Sequence, residues 1–529
     1  MRVKKNIFYN TVANWKNFKQ RLIVEGLVIG VVAGAVAALY RFIIQQSDIF
    51  REQIYHYLKA NGVSAVLGWF IFLFAGAYIL GIMVKKEPSV SGSGIPQIKG
   101  LLSGQMRMNW IRVLLYKFTG GIIALGFGLS LGREGPSVQL GAAAAQGLSR
   151  MLGRIKVEEK YLITCGASAG LAAAFSAPLA GTIFALEELH KNFSPLVLVP
   201  AMAASMMAGF ISHQFFGQAP LFDFGRLDPI PLKYYGYVFI MGIIIGALGV
   251  VFNLALVKTQ DAYKKMSFLR LEQRPIIPIL IAGILGFFLP QVLGGGNDLI
   301  NSLDKIHYAA GFIIILAVIK LLFTVISYGS GVPGGIFLPM LVIGALVGDV
   351  YGTFIVKALS IDSSYVNNFI VLAMAGYFSA VVKAPITGAI LITEMTGSFI
   401  HLLALTLISL TSYLTADLLN GQPIYDQLLD RLLIEKKKLK VLTGTDRKVL
   451  LEIPVCVGSE LDGKKIKDVS LDPQCLLVSI NRGTTEIIPR GHTRIYPGDY
   501  LVVLADYERA EEIRAKLMMM AEKLDARKR

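Results

Sequence analysis

The 529-residue chain has little of what a disulfide-linked, metal-binding or catalytic protein requires. Its three cysteines, Cys165, Cys456 and Cys475, are too few and too scattered to form a disulfide framework. The six histidines are also scattered, and no two of them have the spacing of metal ligands. The adjacent acids Glu187 and Glu188 would diverge on a helix, so they do not make a catalytic pair. We therefore expect no metal, no cofactor and no enzymatic activity.

Charged residues are scarce too, at 17% of the chain, whereas hydrophobic residues make up 54%. The charges cluster outside long apolar runs, and these runs are continuous rather than alternating, which predicts spanning helices and not a barrel. The sequence thus predicts an all-α polytopic membrane protein. The apolar runs lie at about residues 23–45, 66–84, 111–131, 162–186, 196–212, 236–257, 276–293, 311–326, 335–357, 369–381 and 385–419.

Acidic residues are absent from residues 1–22, which contain six basic residues. Because Lys and Arg concentrate in cytoplasmic segments, this stretch is expected to stay in the cytoplasm. Four lysines within residues 436–440 predict the same location for the end of the apolar region. We expect a multi-pass protein of the cell membrane with both termini in the cytoplasm. The net charge of +16 then requires no nucleic-acid partner.

An internal repeat divides the apolar region into two helical halves. The pattern Gly-x-x-x-Pro-x-x-x-x-Gly begins at Gly132 and recurs 203 residues later at Gly335. The pattern Ala-Pro-x-x-Gly begins at Ala177 and recurs 207 residues later at Ala384, and a Glu stands nine residues after the proline in both copies. Such a repeat predicts a site between the halves, lined by broken helices. Whether the halves are inverted is left open by the sequence.

Residues 129–138, L-S-L-G-R-E-G-P-S-V, interrupt an apolar region. Pro136 suits the first turn of a helix, so the stretch predicts a backbone break followed by a helix N-terminus. Helix N-termini attract anions, and an ionisable group at bilayer depth is functional by default. Glu134 is therefore predicted to be the bound anion itself or to compete with a dissolved one. Mutual neutralisation with Arg133 is less favoured, because adjacent helical residues do not face one another.

Four motifs, in register with the repeat, resemble the signature of CLC chloride channels and chloride/proton exchangers. They are Gly92-Ser93-Gly94-Ile95-Pro96, Gly132-Arg133-Glu134-Gly135-Pro136, Gly335-Ile336-Phe337-Leu338-Pro339 and Pro423-Ile424-Tyr425. Their order is that of the family, and the resemblance covers roughly residues 20–430. It implies the CLC fold, chloride as the substrate, and a homodimer with one pathway in each subunit.

The resemblance implies an anion site whose ligands carry no charge: Ser93, Gly94, Ile95, Ile336, Phe337 and Tyr425. Their chemistry agrees with this role. The Ser93 hydroxyl and the amides after it can donate hydrogen bonds, as can the Tyr425 hydroxyl, while Ile336 and Phe337 offer only backbone N–H groups. Uncharged donors suit an anion that must be released rapidly. The alternatives are that Ser93 is an ordinary N-cap and Tyr425 an interfacial aromatic residue.

The same resemblance gives roles to two charged residues. It implies that Glu134 is the gating glutamate, whose carboxylate occupies the outer anion site when charged and leaves it when protonated. For Lys117 two interpretations stay open. One is electrostatic support of anions near the pathway, as the family implies, and the other is a side chain that snorkels to the inner interface.

Glu187 and Glu188 are distinguished by the repeat. Glu187 has a repeat partner in Glu394 and is predicted to bind helix ends, whereas Glu188 aligns with Met395 and breaks the symmetry. Glu188 also matches the proton-transfer glutamate of CLC exchangers, which the channels of the family generally lack. This favours a chloride/proton antiporter. The alternatives are that Glu188 is a solvated helix end beside His190, and that the protein is a ligand-gated passive chloride channel.

The C-terminal part of the chain has the pattern of a small α/β domain, with strands predicted at residues 449–457, 476–480 and 500–504 and a helix from Glu508. Three motifs follow one another here: I-P-V-x-V-G-S-E-L-D-G-K-K-I at residues 453–466, E-I-I-P-R-G-H-T at 486–493 and P-G-D-Y-L-V-V at 497–503. Together they resemble the RCK-C or TrkA-C ligand-binding module of potassium-uptake regulators. That module pairs across a two-fold axis and often binds a nucleotide such as cyclic di-AMP. The resemblance implies a cytoplasmic regulatory domain and a bacterial protein.

Four residues of this domain are candidates for binding the regulatory nucleotide. Ile487 and Ile488 would form an apolar wall, and Arg490 and His492 would donate hydrogen bonds to phosphate. Alternatively, the two isoleucines belong to the strand core and Arg490 begins a solvated turn. The predicted organisation is a cytoplasmic segment (1–22), a CLC transmembrane domain (23–430), a linker (431–444) and the regulatory domain (445–529).

Overall fold

A computed structural model describes residues 15–191, 193–225, 227–266, 269–306, 308–441, 448–456, 458–482, 485–506 and 509–522. The predicted helix start at Glu508 lies outside these residues. The chain divides after Arg431 into two compact units. The first contains the apolar runs, and the second contains the C-terminal strands.

The first half of the membrane unit is helical. Its helices are α1 (Trp15–Lys86), α2 (Ile95–Leu102), α3 (Trp110–Gly126), α4 (Glu134–Met151), α5 (Lys156–Phe175), α6 (Pro178–Phe184) and α7 (Pro195–Phe216). Helix α1 breaks at Gly62, whose φ of 75° suits glycine, so the apolar runs predicted at 23–45 and 66–84 lie on either side of this break. A single π-helical turn, Ala185–His190, follows α6.

The second half repeats much of this order. Its helices are α8 (Tyr235–Lys265), α9 (Ile276–Phe288), α10 (Asn297–Leu303), α11 (Ala310–Gly329), α12 (Phe337–Leu359), α13 (Tyr365–Val382), α14 (Pro385–Thr396), α15 (Leu402–Leu418) and α16 (Ile424–Val441). Helix α16 continues to Val441, so the described part of the segment expected to be a linker is helical.

Among the described residues, seven helices are long and apolar enough to cross a membrane. Others, including α2, α6 and α10, are too short to span and begin directly after a glycine or at a proline. Such short helices are tolerated at membrane depth where protein surrounds them, and α2 is buried along most of its length. The most extensive helix pairings, α4 with α5 and α12 with α13, are equivalents in the repeat.

The two halves meet at the glycines that begin the repeated motif. The Gly132 amide donates to the Gly335 carbonyl at 2.7 Å, and the Gly335 amide donates back to the Gly132 carbonyl at 2.8 Å. This is an antiparallel bridge between equivalent residues. Antiparallel pairing of equivalent segments requires a two-fold relation between the halves at this point. The first turns of α4 and α12 therefore begin beside one another.

The second unit contains a four-stranded antiparallel sheet in the order β1-β4-β2-β3. The strands are β1 (Lys448–Pro454), β2 (Cys475–Arg482), β3 (Thr485–Ile487) and β4 (Asp499–Asp506), followed by helix α17 (Ala510–Glu522). Its core includes Ile453 and Val503 of the sheet and Ile513 and Leu517 of α17. The three predicted strands correspond to β1, β2 and β4, whereas β3 was not among them.

Candidate functional site

Ser93 lies in the loop before α2 and is only 1% exposed. The Gly92 amide donates to the Val332 carbonyl at 3.1 Å, and the Gly334 amide donates to the Gly92 carbonyl at 3.0 Å, so this loop pairs with the loop before α12. The Ser93 Oγ accepts a hydrogen bond from the Ile95 amide at 3.2 Å. The N-cap of α2 is Gly94, so Ser93 is not the N-cap and this contact closes a local serine turn. The contact uses a lone pair of the hydroxyl rather than its O–H donor.

Glycine is required beside Ser93 for two reasons. Gly94 has a φ of 95°, and a Cβ at this position would lie 2.5 Å from the Gln139 side chain. A Cβ on Gly135 would lie 2.8 Å from the Ser93 Oγ. The loop carrying Ser93 and the first turn of α4 can therefore approach this closely only because neither glycine has a side chain.

Lys117 is fully buried in α3, and its ammonium group does not reach an interface. Its Nζ donates to the carbonyls of Val90 at 2.9 Å and Gly92 at 2.5 Å. The lysine thus anchors the loop that carries Ser93. The arrangement excludes the alternative in which Lys117 snorkels to the membrane surface.

A second buried lysine repeats this arrangement in the other half. Lys320, 203 residues after Lys117, donates to the carbonyls of Val292 at 2.9 Å and Gly294 at 2.8 Å. The loop that it anchors ends at Gly296, whose φ of 94° matches the 95° of Gly94. Sequence reasoning missed Lys320, although its offset from Lys117 equals that of the glycine motif.

Glu134 is the first residue of α4 and is completely buried. Within the described part of the chain, no side chain donates a hydrogen bond to its carboxylate, which faces the backbone amide of Leu338. The carboxylate lies against Gly132, where a Cβ would collide with it and would also lie 3.1 Å from the Leu338 amide nitrogen at the start of α12. A carboxylate thus lies where the positive ends of two helices, α4 and α12, converge.

Ile336 and Phe337 are fully buried at the start of α12. The Phe337 ring packs against Phe175 and Phe378, with ring centroids 5.1 and 4.7 Å away. Their side chains are therefore occupied in packing. Any polar contact with a ligand has to come from backbone N–H groups, as their residue types predicted.

Tyr425, near the start of α16, is 0% exposed, so it is not an interfacial aromatic residue. Its hydroxyl is buried and, within the described residues, has no hydrogen-bond partner. Helix α16 packs against α2, since a Cβ on Gly100 would lie 2.9 Å from the Leu429 side chain. A buried hydroxyl without a partner is costly unless a ligand or water accepts its hydrogen bond.

Glu187 and Glu188 have different environments, although they are adjacent. Glu187 accepts hydrogen bonds from the amides of Ile386 at 3.2 Å and Thr387 at 2.7 Å, at the start of α14. Glu188 is only 3% exposed, and it accepts a hydrogen bond from the Lys99 Nζ at 2.6 Å. Glu188 is thus a buried, paired acid and not the solvated helix end that was the alternative.

Lys99 links Glu188 to a third charged residue that sequence reasoning missed. Its ammonium group also pairs with Asp426, the residue after Tyr425, and the other Asp426 oxygen accepts from the Lys191 Nζ at 2.6 Å. The sequence gave no signal for this cluster, because each member is an isolated charge in its own segment. The segments are α2, the π-helical turn with the residue after it, and α16.

Arg133 faces a separate cavity of about 750 Å³. The side chain is 4% exposed, and its Nε and Nη2 have no hydrogen-bond partner among the described residues. The other walls include α1, the loop at residues 293–296 and helix α10. Arg133 and Glu134 therefore have different surroundings, and the structure does not pair them as neutralising partners.

The four candidate residues of the C-terminal unit lie on and after β3. Ile487 pairs with Ile480 of β2 and is partly buried in the sheet core, whereas Ile488 is 79% exposed. Arg490 and His492 are both exposed. The Thr493 amide donates to the Arg490 carbonyl at 2.8 Å, so Arg490 begins a turn. The alternative in which the isoleucines belong to the strand core therefore applies to Ile487 and not to Ile488.

A buried polar contact of this unit lies elsewhere, at Asp499 of β4. Asp499 is 1% exposed and receives two hydrogen bonds from Arg482 at 2.8 Å each, with a third at 2.8 Å from the Tyr496 amide. Burial by itself raises the pKa of Asp499, but Arg482 and the Tyr496 amide outweigh it, so the pKa lies below its usual value. The same pairing raises the pKa of Arg482.

Within the described residues, no three His, Cys, Asp or Glu side chains are placed to hold a metal ion.

Comparison with known proteins identifies relatives of both units. The sequence model of the family described as Voltage gated chloride channel matches residues 72–417, and that of the TrkA-C domain matches residues 450–518. The H(+)/Cl(-) exchange transporter ClcA of Vibrio cholerae is 36% identical over 431 residues, which is 78% of this chain and 89% of that protein. ClcA of Citrobacter koseri is 31% identical over 425 residues, with the same coverage.

Solved structures are similar to this chain as well. The crystal structure of a slow cyanobacterial Cl⁻/H⁺ antiporter matches with a TM-score of 0.75 at 29% sequence identity, covering 79% of this chain and 99% of that chain. The curated relatives are named as exchange transporters and not as enzymes.

Proposed function

Because the chain belongs to the voltage gated chloride channel family and ends in a TrkA-C domain, we propose that it exchanges chloride for protons across a membrane. Its similarity to H(+)/Cl(-) exchange transporters supports this proposal. So does one observation above all: the buried Glu134 carboxylate faces the Leu338 amide at the meeting point of two helix N-termini, and no side chain of the described residues donates a hydrogen bond to it.

The two helix starts would bind one anion at a time. While Glu134 is ionised, its carboxylate occupies the position beside the Leu338 amide and excludes a dissolved anion. Protonation removes the charge that these N–H groups attract, so the side chain leaves and chloride takes its place. Each exchange of carboxylate for chloride then requires one proton on Glu134, and this links the two fluxes.

Further along the pathway, chloride would be held by neutral donors. The Ser93 and Tyr425 hydroxyls, together with backbone N–H groups at Gly94, Ile95, Ile336 and Phe337, can bind an anion without a cation in contact with it. Lys117, fixed behind the Ser93 loop, would add positive potential at a distance. Binding by dipoles permits rapid release, as transport requires.

Glu188 would supply protons to Glu134 from the opposite side of the anion site. Its burial and its pairing with Lys99 support a role other than surface solvation. An exchanger needs such an acid, whereas a passive channel does not. The proton flux therefore distinguishes the proposed antiporter from a ligand-gated chloride channel on the same fold.

The experiment is transport by the full chain in reconstituted vesicles, with chloride and proton fluxes recorded together. We expect a chloride gradient to drive protons uphill in the native protein. Glu134→Gln is expected to abolish proton movement and to retain chloride movement, and Glu188→Gln is expected to lose proton movement. Asp417→Asn, at an exposed carboxylate paired with Lys383, is the matched control. Chloride flux without proton flux in the native protein would identify a channel.

We further propose that the TrkA-C domain binds a nucleotide such as cyclic di-AMP and regulates transport. The exposed Ile488, followed by Arg490 and His492 on one turn, offers an apolar contact beside two phosphate donors. Calorimetric titration of the full chain with cyclic di-AMP should give saturable heat that Arg490→Gln removes. Arg514→Gln, at an exposed arginine of α17, is the control. No heat with the native chain would reject this ligand.

The same family membership supports a homodimer in the cell membrane with both termini in the cytoplasm. Helices α7, α6, α14 and α15 pack in that order and carry exposed apolar side chains, among them Phe210, Leu179, Ile386 and Leu414. This continuous apolar face suits a second copy of the chain. Mass measurement of the protein in detergent, with Phe210→Asp as the variant, tests the dimer: the variant is expected to be monomeric.

A further inference from the structure

Four charged side chains form a continuous charged network from the interior of the membrane unit to its surface. The Lys99 Nζ donates to Glu188 Oε1 at 2.6 Å and pairs with Asp426 on its other side, and Lys191 Nζ donates to Asp426 Oδ2 at 2.6 Å. The exposed fraction of the side chains rises along it, from 4% for Glu188 and 6% for Lys99 to 29% for Asp426 and 54% for Lys191.

We propose that Lys99 and Asp426 are the proton-relay residues through which Glu188 exchanges protons with the surrounding water. This inference rests on the proposed antiport function. Glu188 is itself too buried to meet water, and its observed partner is an ammonium group that already donates a hydrogen bond to it. Outward from Glu188, Asp426 is the first carboxylate of the charged network with a substantial exposed area.

The transfer is balanced at each step. Lys99 Nζ gives one of its three protons to Glu188, so that an N–H bond breaks, an O–H bond forms, and a neutral amine faces Asp426. The Asp426 carboxylate takes a proton from a hydronium ion of the surrounding water and passes it to the amine, so that an O–H bond breaks, an N–H bond forms and the carboxylate is restored. One proton has moved from water to Glu188, and Lys99 and Asp426 have returned to their starting states.

Lysine is suited to this step and arginine is not. A buried lysine can give up its proton, whereas arginine remains protonated in proteins. Lys99→Arg therefore keeps the positive charge between the two carboxylates but cannot pass a proton, while Lys99→Met removes both. This difference separates a proton relay from a purely structural ion pair, which arginine would maintain.

The members of the charged network come from each of the elements that meet there. Lys99 comes from α2, Glu188 from the π-helical turn, Lys191 from the residue after it, and Asp426 from α16. Lys191 is more than half exposed, so it fixes the orientation of Asp426 without isolating it from water. Asp426 directly follows Tyr425 in the sequence, so a water-exposed member of the charged network is the sequence neighbour of a proposed chloride ligand.

The test records chloride and proton fluxes of the full chain in the same vesicles. Asp426→Asn, Lys99→Met and Lys99→Arg are each expected to reduce the proton flux about tenfold or more, as for loss of a positioned acid or base. The chloride flux should fall less, so the number of chloride ions moved per proton rises. Retained chloride flux shows that each variant is folded. Asp417→Asn, with a carboxylate paired to Lys383 at 2.8 Å, is the control and should keep the native ratio.

The outcomes separate this relay from the proposed function. If the native protein moves no protons, the antiport proposal fails, and the relay fails with it. If Glu188→Gln stops protons but Asp426→Asn keeps the native flux, antiport stands and the relay is wrong. Native proton flux in Lys99→Arg would likewise show that Lys99 serves only as a fixed charge.

Discussion

Glu187 and Glu394 occupy equivalent positions in the two halves, and each accepts hydrogen bonds from the first amides of a helix in the other half. Glu187 binds the amides of Ile386 and Thr387 at the start of α14, the helix that contains Glu394. Glu394 binds the amides of Leu179 and Ala180 at 3.0 and 2.6 Å, at the start of α6, which leads into Glu187. A carboxylate at a helix N-terminus satisfies amides that otherwise lack partners, so the two halves cap one another.

Removing either cap should destabilise the membrane unit. We expect Glu187→Ala and Glu394→Ala each to lower the free energy of unfolding by about 1.5–3 kcal/mol, the range for hydrogen bonds to a charged group. The melting temperature in detergent is the measurement. Glu52→Ala, at an exposed position of α1, is the control and should leave it nearly unchanged. Equal melting of all three variants would contradict the capping role.

Substitution of the two buried lysines should separate an effect on protein stability from an effect on anion binding. Lys117→Met leaves the Val90 carbonyl without its donor, while the Gly92 carbonyl keeps its bond from the Gly334 amide. Lys320→Met removes the donor from the carbonyls of Val292 and Gly294. Both variants should have a lower melting temperature, with a loss of about 1–3 kcal/mol of unfolding free energy per unsatisfied group. Because Lys117 anchors the Ser93 loop, we expect chloride binding, measured by calorimetry, to weaken more in Lys117→Met than in Lys320→Met. The reverse order would argue against Lys117 as support of the anion site.

Gly132 controls the space that the Glu134 carboxylate occupies. In Gly132→Ala the new Cβ would collide with that carboxylate and approach the Leu338 amide to 3.1 Å, so the side chain has to move. We expect a cost of about 1–3 kcal/mol in unfolding free energy and an increased number of chloride ions moved per proton. Gly68→Ala on α1, where nothing lies within 4 Å of the new Cβ, is the matched control. Native coupling in Gly132→Ala would place the gate elsewhere.

The C-terminal unit should lose stability in acid through Asp499. Burial raises and the Arg482 and Tyr496 contacts more strongly lower the pKa of this carboxyl, so its stabilising effect is complete above the unfolded value of about 3.9 and disappears as pH falls through the folded value. Hydrogen-exchange protection of β4 in the full chain should therefore fall between about pH 5 and pH 2. In Asp499→Asn this fall should be smaller. The same slope in both proteins would exclude Asp499 as its source.

Much of the architecture was predictable because it depends on local patterns. Continuous apolar runs and the glycine-proline motifs gave the helical membrane unit, and the family match confirms the predicted fold class and the TrkA-C domain. Pro136 correctly predicted that a helix begins at the break, and the structure begins α4 at Glu134. The short strand β3 was missed, because three residues beside a turn give too short an alternation to detect.

The repeat also predicted that Glu187 binds helix ends, because the same residue type stood at the same distance from the proline in both copies. It left open which helix each glutamate caps, since that depends on contacts between residues about 200 positions apart. Lys99 and Asp426 were not found for the same reason. Each is an isolated charge in its own segment, and only packing of α2 against α16 brings them together.

The sequence by itself determined that this chain crosses a membrane, is built from two repeated halves and presents a carboxylate at a helix start, because hydropathy, repetition and proline geometry act over short distances. Tertiary structure alone decided that the two motif glycines pair with each other, that no side chain of the described residues donates a hydrogen bond to Glu134, and that Glu188 is joined to Lys99 and Asp426. The physical reason is burial: removal from water determines which polar group must find which partner, and burial is a property of the packed chain.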